Sequence, residues 1–248
     1  MSETTTTSPL TVVLVHGAFA DSSSWAGVIE RLQAAGVPVV AAANPLRGIS
    51  IDSAYVASVF AQVPGPVLAV AHSYGGAVIT NAATRAPNVV GLVYVAAFAP
   101  DEGETLNEVT ASSKVSVLGT ALVPRSYPTG SGTGTEFFID PAKARDAFAG
   151  DLTDEQAALI AATQRPVSEL AFSEQSGEPA WRDRPSWAVV ATGDKAAGTD
   201  VVRSMAERAG ATITDVEGSH VIMVSQPQAV TDVILDAVAA VAPVPVEA

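Results

Sequence analysis

The sequence predicts one doubly wound α/β domain on a mostly parallel sheet, with a long insertion between two of its strands. Three observations predict it. Apolar runs such as Thr11–His16, Pro66–Ala71 and Val89–Phe98 are continuous rather than alternating, as in strands covered on both faces. Stretches of helical periodicity separate these runs. The 248 residues, 48% hydrophobic and 16% charged, suffice for one large core, and no shift in composition calls for a second.

The elements follow in order. Thr11–His16 reads as the first strand, Ser23–Ala35 as a helix that Gly36 ends, and Val37–Ala42 as the second strand. Ile51–Val63 reads as a helix and Pro66–Ala71 as a buried strand. From Gly75 to Ala86 small residues recur at helical spacing, with Ala77, Val78, Asn81 and Ala82 on one side. Val89–Phe98 is a further strand. Trp187–Thr192, Asp200–Ala209, Thr212–Val216 and Gln228–Ala242 then complete the alternation as strand, helix, strand and helix.

The stretch 100–185 breaks this rhythm. It has no buried-strand run, it carries a Gly/Ser/Thr-rich patch at Thr129–Thr135, and it offers two helices at Pro141–Ala149 and Asp154–Thr163. Such an insertion reads as a helical lid over the site, against the plainer alternative of an idle surface excursion. The predicted organisation is therefore a disordered tail at 1–9, a core at 10–99 and 186–248, and a lid at 100–185.

Composition narrows the chemistry. There are 26 acidic against 13 basic residues, a formal charge of −13, which makes nucleic acid and anionic membranes poor partners. The absence of cysteine excludes disulfides, thiolate metal sites and a cysteine nucleophile together. No metal or cofactor is expected. The first nine residues lack the basic and apolar regions of a signal peptide, and no apolar run reaches the length of a membrane span. A cytoplasmic protein is the expectation, and association into a homodimer is left open.

The most informative stretch is Val67–Gly76, where an apolar strand stops at Ser73 and restarts as a helix. A serine on so sharp a turn is held out on a strained elbow, and the residues two places either side must be small. Ala71 and Gly75 meet that demand, although glycine is usual at both places. Alone, a small-Ser-small turn is a weak signal. Serine also needs a base, and the base needs an orienting acid.

Only His16, His72 and His220 are available. His72, beside Ser73 in the chain, should point to the other side of the elbow strand and serve packing. His16 ends the first strand and is expected to brace its loop. His220 follows the last strand, at the carboxyl edge where open α/β sheets place their sites, and is the expected base. Asp194 ends the preceding strand at the same edge and is the expected acid. Asp101 is its rival, whereas Asp200 reads as a helix N-terminal residue and Asp215 as part of the last strand. The backbone amides of Ala18 and Tyr74 are the expected oxyanion donors, the latter at a helix start.

With Val-His-Gly-Ala-Phe (15–19), Ala-His-Ser-Tyr-Gly-Gly (71–76), Thr-Gly-Asp (192–194) and Gly-Ser-His (218–220) in hand, the chain resembles the α/β-hydrolase superfamily from about Leu10 to Ala240. It is most similar to the compact group of plant methylesterases, hydroxynitrile lyases and related bacterial hydrolases. The resemblance implies hydrolysis of a carboxylic ester through an acyl-enzyme on Ser73; the Leu-, Val- and Phe-rich insertion with few cations points to a small, neutral, apolar ester or lactone, with substrate contacts expected at Phe19, Leu122 and Phe137. It leaves three alternatives. Hydroxynitrile lyases of the group carry threonine where this chain has Gly17 and lysine where it has Val221, so both cyanide-handling groups are missing. A cofactor-free perhydrolase would use the same acyl-enzyme. A non-catalytic receptor on the same fold is the remaining reading.

Overall fold

The computed structural model describes residues 8–242; the expected disordered tail falls mainly on residues outside that range. The first half of the core runs β1 (Thr11–Val15), α1 (Ala26–Ala34), β2 (Val39–Ala42), α2 (Ile49–Gln62), β3 (Val67–His72), α3 (Tyr74–Ala82) and β4 (Val89–Val95). A long excursion follows, with α4 (Leu106–Ser112), α5 (Leu118–Ala121), β5 (Leu122–Thr129), β6 (Gly132–Ile139), α6 (Ala144–Phe148), α7 (Asp154–Thr163), β7 (Val167–Ser168) and α8 (Leu170–Ser173). The chain then returns through β8 (Ser186–Ala191), α9 (Thr199–Arg208), β9 (Thr212–Val216), α10 (Ile222–Ser225) and α11 (Pro227–Val241).

The core strands form one sheet in the order β2-β1-β3-β4-β8-β9, and every pairing in it is parallel. Burial explains the sequence pattern. β1 and β3, in the middle, are buried along their whole length, whereas the edge strands β2 and β9 are largely half-buried or exposed. Central strands can therefore be uniformly apolar, while the edge strand β9 carries Thr and Asp.

The helices pack in pairs, α1 against α11 and α2 against α3. α1 offers Val28 and Leu32 and α11 offers Val230, Val233, Ile234 and Ala237, each a stripe at helical spacing. α3 is buried on all sides, which is why it consists of small and apolar residues without a charge.

The excursion holds more structure than its sequence reading, including the short helices α4, α5 and α8. The two expected helices are present as α6 and α7, but the Gly/Ser/Thr-rich patch is the turn and flank of an antiparallel hairpin, β5 with β6, extended by β7. The hairpin lacks a buried apolar run because most of it is exposed or half-buried. It is tied to the core through the loop after β2. Arg47 pairs with Glu136 at 2.8 Å and stacks 4.6 Å over the Tyr127 ring. Ser168 N donates to Leu46 O, Arg165 Nη1 to Asn44 O, and Ser50 N to the Glu174 carboxylate.

Candidate active site

The loops that follow β1, β3, β8 and β9 all leave the same, carboxyl edge of the sheet, which brings Ala18, Ser73, Asp194 and His220 to one place. Ser73 stands between β3 and α3 at φ 53°, ψ −126°, a left-handed conformation that costs about 1–3 kcal/mol in a non-glycine residue. Tight packing enforces it. A side chain at Gly75 would begin 2.7 Å from the Val15 carbonyl, and one at Gly17 would begin 2.7 Å from Ser73 Cβ. The loop carrying Ala18 is therefore pressed directly against the serine.

His220 Nε2 lies 2.8 Å from Ser73 Oγ, and His220 Nδ1 lies 2.8 Å from Asp194 Oδ2. A carboxylate only accepts, so Nδ1 carries the proton and Nε2 is free to take one from the serine. The second oxygen of Asp194 accepts from the amides of Ala196 and Ala197 at 2.9 and 3.0 Å, which fixes the carboxylate plane. All three side chains are sheltered, with Ser73 5%, Asp194 2% and His220 1% exposed. The three residues that elimination selects from the sequence are thus joined in one hydrogen-bonded line.

The rival acid stands elsewhere. Asp101 is half-buried and accepts from Arg182 at 2.6 Å. Asp200 lies in the first turn of α9 and Asp215 in β9, paired with Arg203.

The other two histidines are buried at the same edge. His16 braces its loop as expected: Nδ1–H donates to Gly17 O, and Nε2 accepts from Asn44 N, both at 3.0 Å. Burial lowers its pKa to about 4. His72 departs from expectation. Its ring is not turned away from the base but packs 4.6 Å from the His220 ring and donates from Nε2 to the His220 carbonyl at 2.9 Å. Burial, and then the neighbouring His220, hold its pKa well below the ordinary value, so it is neutral.

Tyr74, whose amide opens α3, is anchored through its hydroxyl to Asp52 at 2.7 Å. Burial pushes the Asp52 carboxyl above its usual range even though it also accepts from Arg47 N. The same burial, reinforced by the aspartate, drives the Tyr74 hydroxyl well above its ordinary value. Neither anchor is visible in sequence, because Asp52 reads there as one more polar position on a helix.

The expected substrate contacts do not converge. Leu122 and Phe137 line a cavity of about 420 Å³ with Leu118, Val117 and Phe172. Phe19 instead lines a separate cavity of about 180 Å³ with Phe148, Ile160 and Val224. Phe19 meets Phe148 edge-on at 6.2 Å, and Phe148 lies 4.9 Å from the His220 ring, so this aromatic pair walls the base off from the smaller cavity. Ser73 lines neither.

A family model described as the alpha/beta hydrolase family matches residues 12–233. The chain belongs to that family. Solved structures share the fold of this α/β-hydrolase over almost its full length. Polyneuridine aldehyde esterase superposes with a TM-score of 0.79 at 21% identity, covering 93% of this chain and 99% of that one. A pyrethroid hydrolase from Sphingobium faniae JZ-2 gives 0.78 at 22% identity, over 93% and 98%. The methylesterase MES16 from Arabidopsis gives 0.76 at 18% identity, over 93% and 99%. No curated protein sequence matches the chain. Among the described residues no helix of this α/β-hydrolase is long and apolar enough to cross a membrane, and no group of three or more His, Asp and Glu could hold a metal ion.

Proposed function

We propose that this α/β-hydrolase cleaves a small, neutral carboxylic ester or lactone through an acyl-enzyme on Ser73. The observation that carries the reading is the line from Ser73 Oγ through His220 to Asp194, with both hydrogen bonds at 2.8 Å. Ser73 attacks the carbonyl carbon while His220 Nε2 takes its proton, and Asp194 steadies the imidazolium that forms. The oxygen of the tetrahedral intermediate is held by the amides of Ala18 and Tyr74, the latter at the positive end of α3. His220 returns the proton to the leaving alcohol, and water then releases the acyl group by the same route reversed. Nucleophile, base, acid and amide donors all come from the chain, so these steps call for no cofactor.

We read the segment between β4 and β8 as a lid over this site, since Phe148 touches His220 and Arg165 reaches His16 Nε2 at 3.3 Å. The larger lid cavity mixes Leu118, Leu122, Phe137 and Phe172 with hydroxyls and one carboxylate, Glu169, and no Lys or Arg lines it. That lining favours a neutral ester over a phosphate or other anionic conjugate. The lyase alternative fits less well. A threonine at position 17 would start within 2.7 Å of Ser73 Cβ, and Val221 is buried where a lysine would be required.

Hydrolysis of p-nitrophenyl acetate tests the reading, with Ser73→Ala as the control. The variant should fold and lose on the order of 10⁶ in kcat. Equal rates for the two proteins, or no turnover across ester and lactone panels by the wild type, would contradict it.

A further inference from the structure

The mechanism above leaves one buried ring beside the reacting groups without a role. We propose that His72 is a positioning residue for the base, locking the main chain of His220 to the strand that carries the nucleophile. The inference rests on the triad reading and names how that triad is held.

His72 has no exposed surface, and its Nε2 is 2.9 Å from the His220 carbonyl. A carbonyl can only accept, so the ring proton is on Nε2 and the ring donates. The tilted rings of His72 and His220 lie 4.6 Å apart, and the Trp25 edge closes the other side at 6.5 Å. His72 Nδ1 has no hydrogen-bond partner among the described residues, and it lies 3.0 Å from where a side chain of Gly17 would start. One imidazole is thus packed between the loop of the base and the loop of the Ala18 amide, one peptide unit from the serine.

Asp194 and Ser73 hold the two ring nitrogens of His220, but the bond to the serine is given up when Ser73 attacks, and an imidazole then held by Asp194 alone swings with its backbone. The Gly218–His220 segment is a loop tied at Gly218 O by Gly193 N and at the Ser219 hydroxyl by Asp151, and neither contact reaches the peptide of the base. The hydrogen bond from His72 to the His220 carbonyl fixes that last peptide. Its other end is on the residue adjacent to Ser73, whose Cα is about 3.8 Å away across one rigid peptide. Base and nucleophile therefore share an anchor with few soft torsions between them. The geometry matters because a displacement of roughly 1 Å at a reacting group costs about 10² in rate. The neutral form suits the task, since a protonated His72 would place a cation against the imidazolium that forms on His220 during each acyl transfer.

Two readouts test the proposal. The first is kcat against KM for p-nitrophenyl acetate in His72→Leu, His72→Asn and His72→Gln. Leu fills the space without a donor, Asn is an amide too short to reach the carbonyl, and Gln carries an amide N–H to about the position of Nε2. We expect Leu and Asn to lower kcat about 10- to 100-fold with KM nearly unchanged, and Gln to recover most of that loss. The second is independent of turnover: the low-field proton NMR resonance of the His220 Nδ1–H bonded to Asp194. It should broaden or shift in the Leu and Asn variants and stay close to wild type with Gln. Should Leu fail to fold, Asn and Gln still form the decisive pair. Equal losses for Asn and Gln, or a wild-type resonance and kcat in all three, would overturn the assignment. A protein that hydrolyses no ester but shows the expected resonances would overturn the esterase reading and leave this one standing.

Discussion

The carboxyl edge of the parallel sheet and the segment between β4 and β8 meet where Phe148 packs against His220 and Arg165 reaches His16, yet they are built on opposite terms. At the sheet edge the triad is buried and tightly held: Ser73 in a strained turn, Asp194 between two amides, His220 by the side chains of Asp194 and His72. In the inserted segment the hairpin is exposed or half-buried at every position but Ile139, and it is held to the core by a few apolar contacts, an ion pair, a stacked guanidinium and a few hydrogen bonds. Buried, over-determined geometry suits groups that must stay within fractions of an ångström of a transition state. An exposed or half-buried hairpin can vary its contacts with little cost to the fold. Under the proposed function, the first region carries the chemistry and the second the choice of substrate.

The division predicts a steep contrast between two aspartates. Asp194→Asn, at the buried edge, should leave His220 in the wrong tautomer and cost about 10⁴ in kcat, the loss known from the protease triad. Asp101→Asn, at the junction with the insertion, removes an ion pair with Arg182 and should change kcat by less than about twofold. The reverse ranking would break the comparison at its root.

Acid should expose the buried edge next. The His16 ring binds a proton only near pH 4 when folded, against 6.5 when unfolded. Between these values the unfolded chain holds more protons, so stability is complete above pH 6.5 and falls as pH drops toward 4. One such group contributes about 1.4 kcal/mol per pH unit. His72, shifted in the same direction, steepens the slope. Urea unfolding at pH 7.5, 6 and 5 measures it, and His16→Gln should flatten the dependence by about one proton. A pH-independent midpoint would mean that these histidines are not held neutral.

In the inserted segment the expected effects are smaller and concern selectivity. Phe137→Ala or Leu122→Ala should reorder a series of acyl and alcohol groups by about 1–3 kcal/mol in relative kcat/KM. Phe19→Ala, which opens the other cavity, should alter a different part of the series. Labelling of Ser73 by a small fluorophosphonate should proceed in all three. If the ranking is untouched while labelling slows, the inserted segment serves the chemistry and the division does not hold.

Much of the first region is legible in the sequence and little of the second, for a physical reason. Central parallel strands must be uniformly apolar, so β1, β3 and β4 stand out as continuous runs. A chain with three histidines and no cysteine leaves few bases to choose from, and strand ends fix which of them share an edge. The hairpin is opaque because β5 and β6 put only Leu122, Phe137 and Ile139 against the core and otherwise lean on Arg47, a residue about ninety positions away from Glu136 in the chain. The orientation of His72 is likewise hidden, since adjacency to Ser73 says nothing about where the His220 loop will lie. Phe19, Leu122 and Phe137 are equally apolar on paper, and only the packing of Phe148 separates the first from the other two.

Intact-protein and peptide mass spectrometry during turnover of a slow-deacylating p-nitrophenyl ester tests the central claim most directly. The account predicts an added acyl mass that maps to Ser73, builds up with the burst of nitrophenol, and is absent in Ser73→Ala. An adduct on any other residue, or steady ester hydrolysis with Ser73 never acylated, would contradict it.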